Sequence, residues 1–273
     1  DPHRTQSESE HFEIMSHLNR LVPENELYLV FQPKVDLESG ICSGAEVLVR
    51  WNTARGEISP ALFIPLAEEN GSISKITRWV IHRTLSLVGG RSVLELGGRP
   101  LVYAINVSVV DMRAPDFVEF LESLLDLYGV PPGQIELELT ERMLIDDDTH
   151  VRANFAALQK IGVRLAIDDF GTGYSGLNYL NKFFVNTIKI DKSFVDGIEP
   201  GAGPGSLAVM DAVISLGIAL GLELTAEGIE HAYQASYLAE RRCHLGQGWL
   251  FSRPLAFEAF VDFAEKSNLR ELA

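Results

Sequence analysis

The segment LAIDDFGTGYSGL, residues 165–177, joins an apolar run to a glycine-rich turn through two adjacent carboxylates. The neighbouring charges of Asp168 and Asp169 repel each other, and Gly171 and Gly173 offer no apolar surface to bury. The simplest compensation for this charge is a cation beside the two carboxylates.

The apolar run of this segment is one of a series along the chain. Short runs rich in β-branched residues alternate with longer segments of helical spacing, which is typical of parallel βα units. The predicted strands are 27–34, 44–51, 101–108, 135–141, 163–170, 187–194, 222–230 and 244–251. The predicted helices are 60–69, 74–88, 115–128, 149–160, 175–182, 205–220, 232–241 and 256–266. Eight repeats in about 250 residues favour an α/β fold of the (β/α)8 TIM-barrel type over an open doubly wound sheet.

Composition sets the class of protein. The chain has 273 residues, of which 46% are hydrophobic, enough for a globular core. A formal net charge of −15 disfavours binding to DNA or RNA polymers and to anionic lipid. Cys42 and Cys243 have neither metal-binding nor redox spacing, so we expect a reducing, cytoplasmic location, although a full-length protein could be membrane-anchored. The most membrane-like stretch, 207–224, contains Asp211 and Glu223 and is interpreted as a buried helix followed by a strand.

Polar residues recur where the predicted strands end. They are Asn106, Glu138, the pair Asp168 and Asp169, Lys189, Glu227 and Gln247. In a barrel the carboxyl ends of the strands meet on one face, where active sites are assembled. Each residue alone is compatible with an ordinary strand-end position, but their succession favours a functional site.

Carboxylate and amide oxygens without histidine or cysteine suit Mg²⁺ or Mn²⁺. The seven histidines form neither an HExxH motif nor a His-Asp pair, which argues against a zinc protease and a His-Asp phosphohydrolase. Adjacent Asp168 and Asp169 would allow one carboxylate to bridge two ions, an arrangement that supports in-line phosphoryl displacement. Lys189 would orient a water or offset transition-state charge; the alternative is a structural ion pair. The glycine loop is interpreted as a mobile loop that closes over substrate or gates the ions, with a plain tight turn as the alternative.

Longer motifs occur in order along the chain. They are FQPK (31–34), GAEVLVRW (44–51), INVS (105–108), ELELTE (136–141), AIDDFGTGYSGL (166–177), TIKIDKSF (187–194), TAEGIE (225–230) and GQGWLFSRP (246–254). With them the chain resembles, from about residue 20 to 265, the EAL family of cyclic di-GMP phosphodiesterases. The signature triplet stands as Glu46-Val47-Leu48, with valine in place of the usual alanine, and no GGDEF-type cyclase motif is present.

This resemblance implies a barrel whose first strand runs antiparallel to the others. It also implies hydrolysis of one phosphodiester bond of cyclic di-GMP, which gives linear pGpG. Two Mg²⁺ or Mn²⁺ ions per site would be required, and Ca²⁺ would inhibit. The implied metal ligands are Glu46, Asn106, Glu138, Asp168, Asp169 and Glu227. Asp168 would bridge the ions, Lys189 would hold the attacking water, and Glu227 matches the position proposed as general base.

Further positions match residues that grip the substrate. They are Gln32, Leu48, Arg50, Asp191 and Gln247, with Arg50 on a phosphate, Asp191 at a guanine edge and Gln247 also in the metal and water network. Glu141 matches a residue that anchors the 168–177 loop. Two departures, Gly176 for a frequent serine and the segment NKFFVN (181–186), concern the loop and the expected homodimer surface rather than the chemistry.

The resemblance also implies a domain organisation. We expect a linker or N-terminal helix from a longer protein at 1–20, the EAL barrel at 21–268 and a C-terminal tail at 269–273, with a sensory or regulatory domain upstream. Two other functions remain open. A catalytically silent cyclic di-GMP receptor would usually lack metal ligands, and an unrelated barrel hydrolase such as a glycosidase would need only two opposed carboxylates.

Overall fold

The computed structural model describes residues 11–90, 95–96, 99–145, 148–171, 183–201 and 207–269. The strands are β1 (Leu27–Asp36), β2 (Cys42–Thr53), β3 (Gly56–Ile58), β4 (Glu95–Leu96), β5 (Arg99–Pro100), β6 (Val102–Asn106), β7 (Ile135–Thr140), β8 (Arg164–Phe170), β9 (Thr187–Ile190), β10 (Glu223–Ala226) and β11 (Leu245–Gly246). The helices are α1 (11–18), α2 (Pro23–Glu26), α3 (Pro60–Glu69), α4 (Ile73–Val88), α5 (Val109–Arg113), α6 (Phe117–Tyr128), α7 (Glu141–Ile145), α8 (Thr149–Ile161), α9 (Lys192–Asp196), α10 (Ala208–Ala219), α11 (Ala232–Glu240) and α12 (Phe257–Leu269).

Eight of these strands close into a barrel. Their order is β1-β11-β10-β9-β8-β7-β6-β2, and pairing between β1 and β2 completes the ring, while β3 extends β2 as a hairpin. This confirms the predicted α/β barrel. Inside the described ranges, no helix combines the length and the apolarity needed to cross a membrane.

The first strand is antiparallel to both of its neighbours, whereas the other neighbouring pairs of the ring are parallel. The expectation drawn from the family resemblance is therefore confirmed. The cause is local, because only a short turn joins β1 to β2, and so short a connection permits only an antiparallel pair. The Asp36 carboxylate accepts bonds from the Ser39 amide and hydroxyl, both at 2.7 Å, and Gly40 supplies a φ of 74°.

Several predicted boundaries differ from the observed ones. The predicted strand 187–194 ends at Ile190, because Asp191 caps α9 and its Oδ1 accepts from the Ser193 amide at 3.0 Å. The predicted strand 244–251 pairs only over Leu245–Gly246. The predicted helix 175–182 lies outside the described residues. The stretch 207–224 forms α10 and β10 as predicted, but α10 is not fully buried, since Val209 is 58% exposed.

The two adjacent carboxylates of β8 occupy a β-bulge. The ladder between β8 and β9 shifts register between Ile167 and Phe170, so that Asp168 and Asp169 lie opposite the single residue Lys189. Asp169 takes a φ of 54°, a conformation that costs a non-glycine residue on the order of 1 kcal/mol. Bulges of this kind often redirect side chains beside functional sites.

Candidate active site

Strand geometry collects the predicted polar residues inside one end of the barrel. Glu46, Glu138, Asp168 and Lys189 lie within strands, Asn106 is the last residue of β6, and Glu227 and Gln247 each follow directly after a strand. The backbone after Glu227 turns through Gly228, whose φ is 67°. A Cβ at this glycine would collide with the side chain of Lys192, so the turn that carries Glu227 requires glycine.

The ammonium of Lys189 is the centre of the cluster. Its Nζ lies 2.6 Å from Glu138 Oε2, 2.6 Å from Glu227 Oε1, 3.0 Å from Asp168 Oδ1 and 3.7 Å from Glu46 Oε2. Lys189 is only 1% exposed, so these ion pairs are shielded from water. The contact with Glu227 lowers the pKa of this carboxyl and so opposes the effect of its burial. Among the described residues, the positive charge nearest to Asp168 is the ammonium of Lys189.

Two side-chain amides fix the direction of Glu46. Asn106 donates from Nδ2 to Glu46 Oε1 at 2.8 Å, and Gln247 donates from Nε2 to Glu46 Oε2 at 2.7 Å. Because both amides donate through nitrogen, both carbonyl oxygens remain for other partners. Gln247 Oε1 is buried and accepts no hydrogen bond from the described residues. Such an orphaned buried acceptor suits a cation or a bound water.

The carboxylates of the cluster differ in pKa. Burial, reinforced by the charge of Glu46, raises the pKa of Glu138 to about 8. Burial, reinforced by Glu46 and Asp168, raises the pKa of Glu227 to about 7. Burial acts against ionisation of Glu46 too, but Lys189 and the two amides outweigh it and hold the pKa of Glu46 at about 2. Burial is therefore the main cause of the raised pKa values, and neighbouring carboxylates add to it.

A second buried lysine lies beneath the cluster and was missed by the sequence reasoning. Lys34 Nζ lies 3.1 Å from Glu138 Oε1 and 2.9 Å from Glu136 Oε1. The available signal was the alternation of acidic residues in β7, which places Glu136 and Glu138 on the same face of the strand. The motif FQPK carries part of the family resemblance, but nothing in it predicts that its lysine is buried inside the barrel.

Asp169 lies at the edge of this group. Its amide donates to Asp168 Oδ1 at 3.0 Å, and the side chain is exposed. Partial burial, together with the carboxylates of Asp168 and Asp191, raises the pKa of Asp169. The predicted second acidic position is therefore close to the cluster but far less buried than Glu138.

The predicted substrate residues divide into two groups. Leu48 and Arg50 line a largely apolar cavity of about 240 Å³ beside the cluster, together with the predicted metal ligand Asn106. Arg50 lies 3.9 Å from Glu57, a loose ion pair on the β2–β3 hairpin. Half-buried Gln32 lies on β1 directly opposite Glu46.

Two further predicted residues, Asp191 and Glu141, lie at the starts of helices. Asp191 uses one oxygen to cap α9. Glu141 is buried at the start of α7, while most of the loop that it was predicted to anchor, residues 172–177, lies outside the described residues.

The donor set fits an oxygen-preferring divalent cation. Its members are carboxylates and amide carbonyls, the ligands of Mg²⁺ and Mn²⁺, and no described residue donates to Gln247 Oε1. Over the described part of the chain, no three His, Cys, Asp or Glu side chains form a ready coordination shell. The carboxylates converge instead on Lys189, which occupies the centre that a shared cation would need.

Comparison with known proteins identifies the family. Residues 15–254 match the EAL domain, and the chain belongs to this family. It is 34% identical to the cyclic di-GMP phosphodiesterase PA2567 of Pseudomonas aeruginosa over 97% of this chain and 45% of that protein. It is 36% identical to the oxygen sensor protein DosP of Escherichia coli over 88% of this chain and 30% of that protein. The chain thus spans less than half the length of these curated relatives.

A solved structure shares the fold. The EAL enzyme Bd1971, in a form bound to cAMP and cyclic di-GMP, aligns with a TM-score of 0.86 and 33% identity, covering 95% of this chain and 70% of that one. The agreement in sequence motifs and in fold confirms the resemblance drawn from the sequence.

Proposed function

We propose that the chain is a divalent-metal-dependent phosphodiesterase that hydrolyses cyclic di-GMP to linear pGpG. The observation that carries this proposal is the buried cluster in which four carboxylates surround Lys189, with Asn106 and Gln247 braced against Glu46. Membership of the EAL family and the activity named for PA2567 supply the substrate. A glycosidase would leave this lysine and these amides without a role.

The proposed metal ligands are Glu46, Asn106, Glu138, Asp168, Asp169 and Glu227. Bound Mg²⁺ or Mn²⁺ would lower the pKa of a water and stabilise charge on the phosphoryl oxygens. For the carboxylates to serve as ligands, they must turn partly away from Lys189, since all four now converge on it. Asp168 and Asp169 follow each other in the bulge, which suits a bridge between two ions.

The chain's own residues would position the water and move its proton. Lys189 would keep the water in place through its ammonium and offset charge that develops on the phosphate. Glu227 would accept the proton, because it lies 2.6 Å from the ammonium that would hold the water and because burial raises its pKa to about 7. Gln247 would hold the network through its Oε1, which accepts no hydrogen bond within the described ranges.

Substrate binding would use the cavity beside the cluster. Its walls are mainly apolar, and Arg50 lies at its edge, so a flat base would lie against Leu48 while the guanidinium contacts a phosphate. Gln32 and Asp191 would contact the remainder of the nucleotide.

Turnover of cyclic di-GMP with Mg²⁺ or Mn²⁺, followed by identification of the product by mass spectrometry, tests the proposal. We expect pGpG from the wild type and from Glu119→Gln, a substitution on the outer surface, and no product from Glu46→Gln. Binding of cyclic di-GMP without turnover in either metal would instead identify a silent receptor.

The wider setting is inferred from the relatives. We infer that residues 21–268 act as the catalytic domain of a longer cytoplasmic protein, controlled by a sensory domain, since the matched part of DosP, named an oxygen sensor, is 30% of its length. A homodimer is also proposed, and sedimentation analysis of the purified protein tests it.

A further inference from the structure

The lower half of the barrel interior contains a chain of ion pairs that leads up to the cluster. Glu223 Oε1 lies 2.8 Å from Arg164 Nη2, and Arg164 Nε lies 3.4 Å from Glu136 Oε2. Lys34 Nζ continues the chain between Glu136 at 2.9 Å and Glu138 at 3.1 Å. Charged residues therefore connect the amino-terminal mouth of the barrel to the proposed site.

This arrangement is unusual for the interior of such a barrel, which is normally filled by layers of branched apolar side chains. Lys34 and Glu136 are each 2% exposed. Buried ion pairs are weak stabilisers compared with well-packed apolar residues, because desolvation offsets most of their attraction. A contribution to stability alone is therefore a poor reason for placing these charges here.

The contacts of Glu138 suggest a role for Lys34. Lys189 holds Oε2 of Glu138 at 2.6 Å from above, and Lys34 holds Oε1 at 3.1 Å from below. Both oxygens are thereby fixed, and the carboxylate cannot rotate without breaking one of the two bonds. None of the ion pairs described for Lys34 involves Glu46, Asp168 or Glu227.

Lys34 is in turn held in place by Glu136. The other oxygen of Glu136 accepts a 2.6 Å bond from the Thr187 hydroxyl and lies 3.4 Å from Arg164. Contacts from two further strands, β8 and β9, therefore fix the position of the Glu136 side chain. Glu136 in turn fixes the position of Lys34.

We propose that Lys34 is a positioning residue: braced by Glu136, it fixes the orientation of Glu138 and so sets the affinity of the cluster for a divalent cation. This inference rests on the proposed function, since it takes Glu138 as a metal ligand. Residues that hold a ligand in place from behind typically change metal affinity by about 10–100-fold when they are removed.

The test is Mn²⁺ binding to the metal-free full chain without substrate, followed by the electron paramagnetic resonance signal of free Mn²⁺. Lys34→Met keeps the length of the side chain and removes the charge. We expect about 10–100-fold weaker Mn²⁺ binding in Lys34→Met, a smaller loss in Glu136→Gln, and partial recovery in Lys34→Arg. Arg78→Met, which breaks the outer pair between Arg78 and Asp116, is the matched control and should bind as the wild type does.

Circular dichroism establishes that each variant is folded before binding is compared. Should Lys34→Met not fold, Glu136→Gln decides the question, because it removes the charge that braces Lys34 and leaves Lys34 and Glu138 themselves unchanged. Mn²⁺ binding by Glu136→Gln as tight as that of the wild type would then overturn the positioning role. Unchanged or tighter Mn²⁺ binding in a folded Lys34→Met would overturn the positioning role. If the wild type binds Mn²⁺ and the variants bind it more weakly, but cyclic di-GMP is not hydrolysed, the proposed function fails while the positioning role stands.

Discussion

Replacing Lys189 by methionine removes the cation around which the cluster is built. Each of its two shortest ion pairs is 2.6 Å long, which at an effective dielectric constant of about 20 corresponds to roughly 6 kcal/mol before desolvation is counted. Measured net losses for breaking a buried ion pair are smaller, about 3–5 kcal/mol. We expect the metal-free Lys189→Met protein to lose stability in that range, which for a domain of this size lowers Tm by roughly 6–20 °C.

Divalent cations should reverse much of this loss. In the variant, the four carboxylates no longer share an ammonium, so Mg²⁺ or Mn²⁺ supplies the missing positive charge, and binding to the folded state alone raises Tm. The wild type, in which Lys189 already balances part of the charge, should gain less. Catalysis should not return, because the group that holds the water is absent.

Thermal unfolding in EDTA and in Mg²⁺, followed by circular dichroism, measures both effects. Lys192→Met is the matched control, since Lys192 also bridges two carboxylates, at 2.8 and 2.9 Å, but is 46% exposed. Such a surface bridge contributes about 0–1 kcal/mol. A Tm for Lys189→Met in EDTA within the range of this control would refute the central place given to Lys189.

Four further results are expected. Arg50→Ala should raise the KM for cyclic di-GMP, with only partial recovery in Arg50→Lys because the planar fork is lost; unchanged steady-state kinetics would remove Arg50 from the site. Asp168→Asn should abolish turnover, whereas Asp169→Asn should retain a trace at high Mn²⁺, and equal activities in the two variants would contradict the bridging role. Ca²⁺ should permit substrate binding while suppressing hydrolysis, which competition against Mg²⁺ checks. In the metal-free protein, burial raises the pKa of Glu227 to about 7, above the ordinary 4.5, so the stability that comes from its protonation is complete below pH 4.5 and is lost as pH rises through 7. Tm in EDTA should therefore fall from pH 6 to pH 8.5, Mg²⁺ should stabilise more at pH 8.5, and a flat profile would argue against this shift.

The strand-end pattern predicted the barrel and most of the cluster because parallel strands bring their carboxyl ends to one face. Glu227 and Gln247 could be predicted as site residues from one fact alone, namely that each follows an apolar strand. The same reasoning was wrong about 191–194, since nothing in strand periodicity shows that Asp191 caps a helix.

The lower ion chain could not be predicted from strand ends. Lys34 lies near the far end of β1, and only the reversed direction of that strand brings it beneath Glu138. Arg164 begins β8 rather than ending it. The bulge at Asp168 and Asp169 depends on register with β9, a property of two strands together that one segment of sequence does not contain.

The most direct test of the account is single-turnover hydrolysis of cyclic di-GMP in ¹⁸O-labelled water with Mn²⁺, read by mass spectrometry of the product. We expect pGpG with one ¹⁸O atom in its terminal phosphate, and no product from Lys189→Met. Formation of unlabelled pGpG in the first turnover would contradict direct attack by a water held at the cluster, as would a Lys189→Met protein that hydrolyses at the wild-type rate.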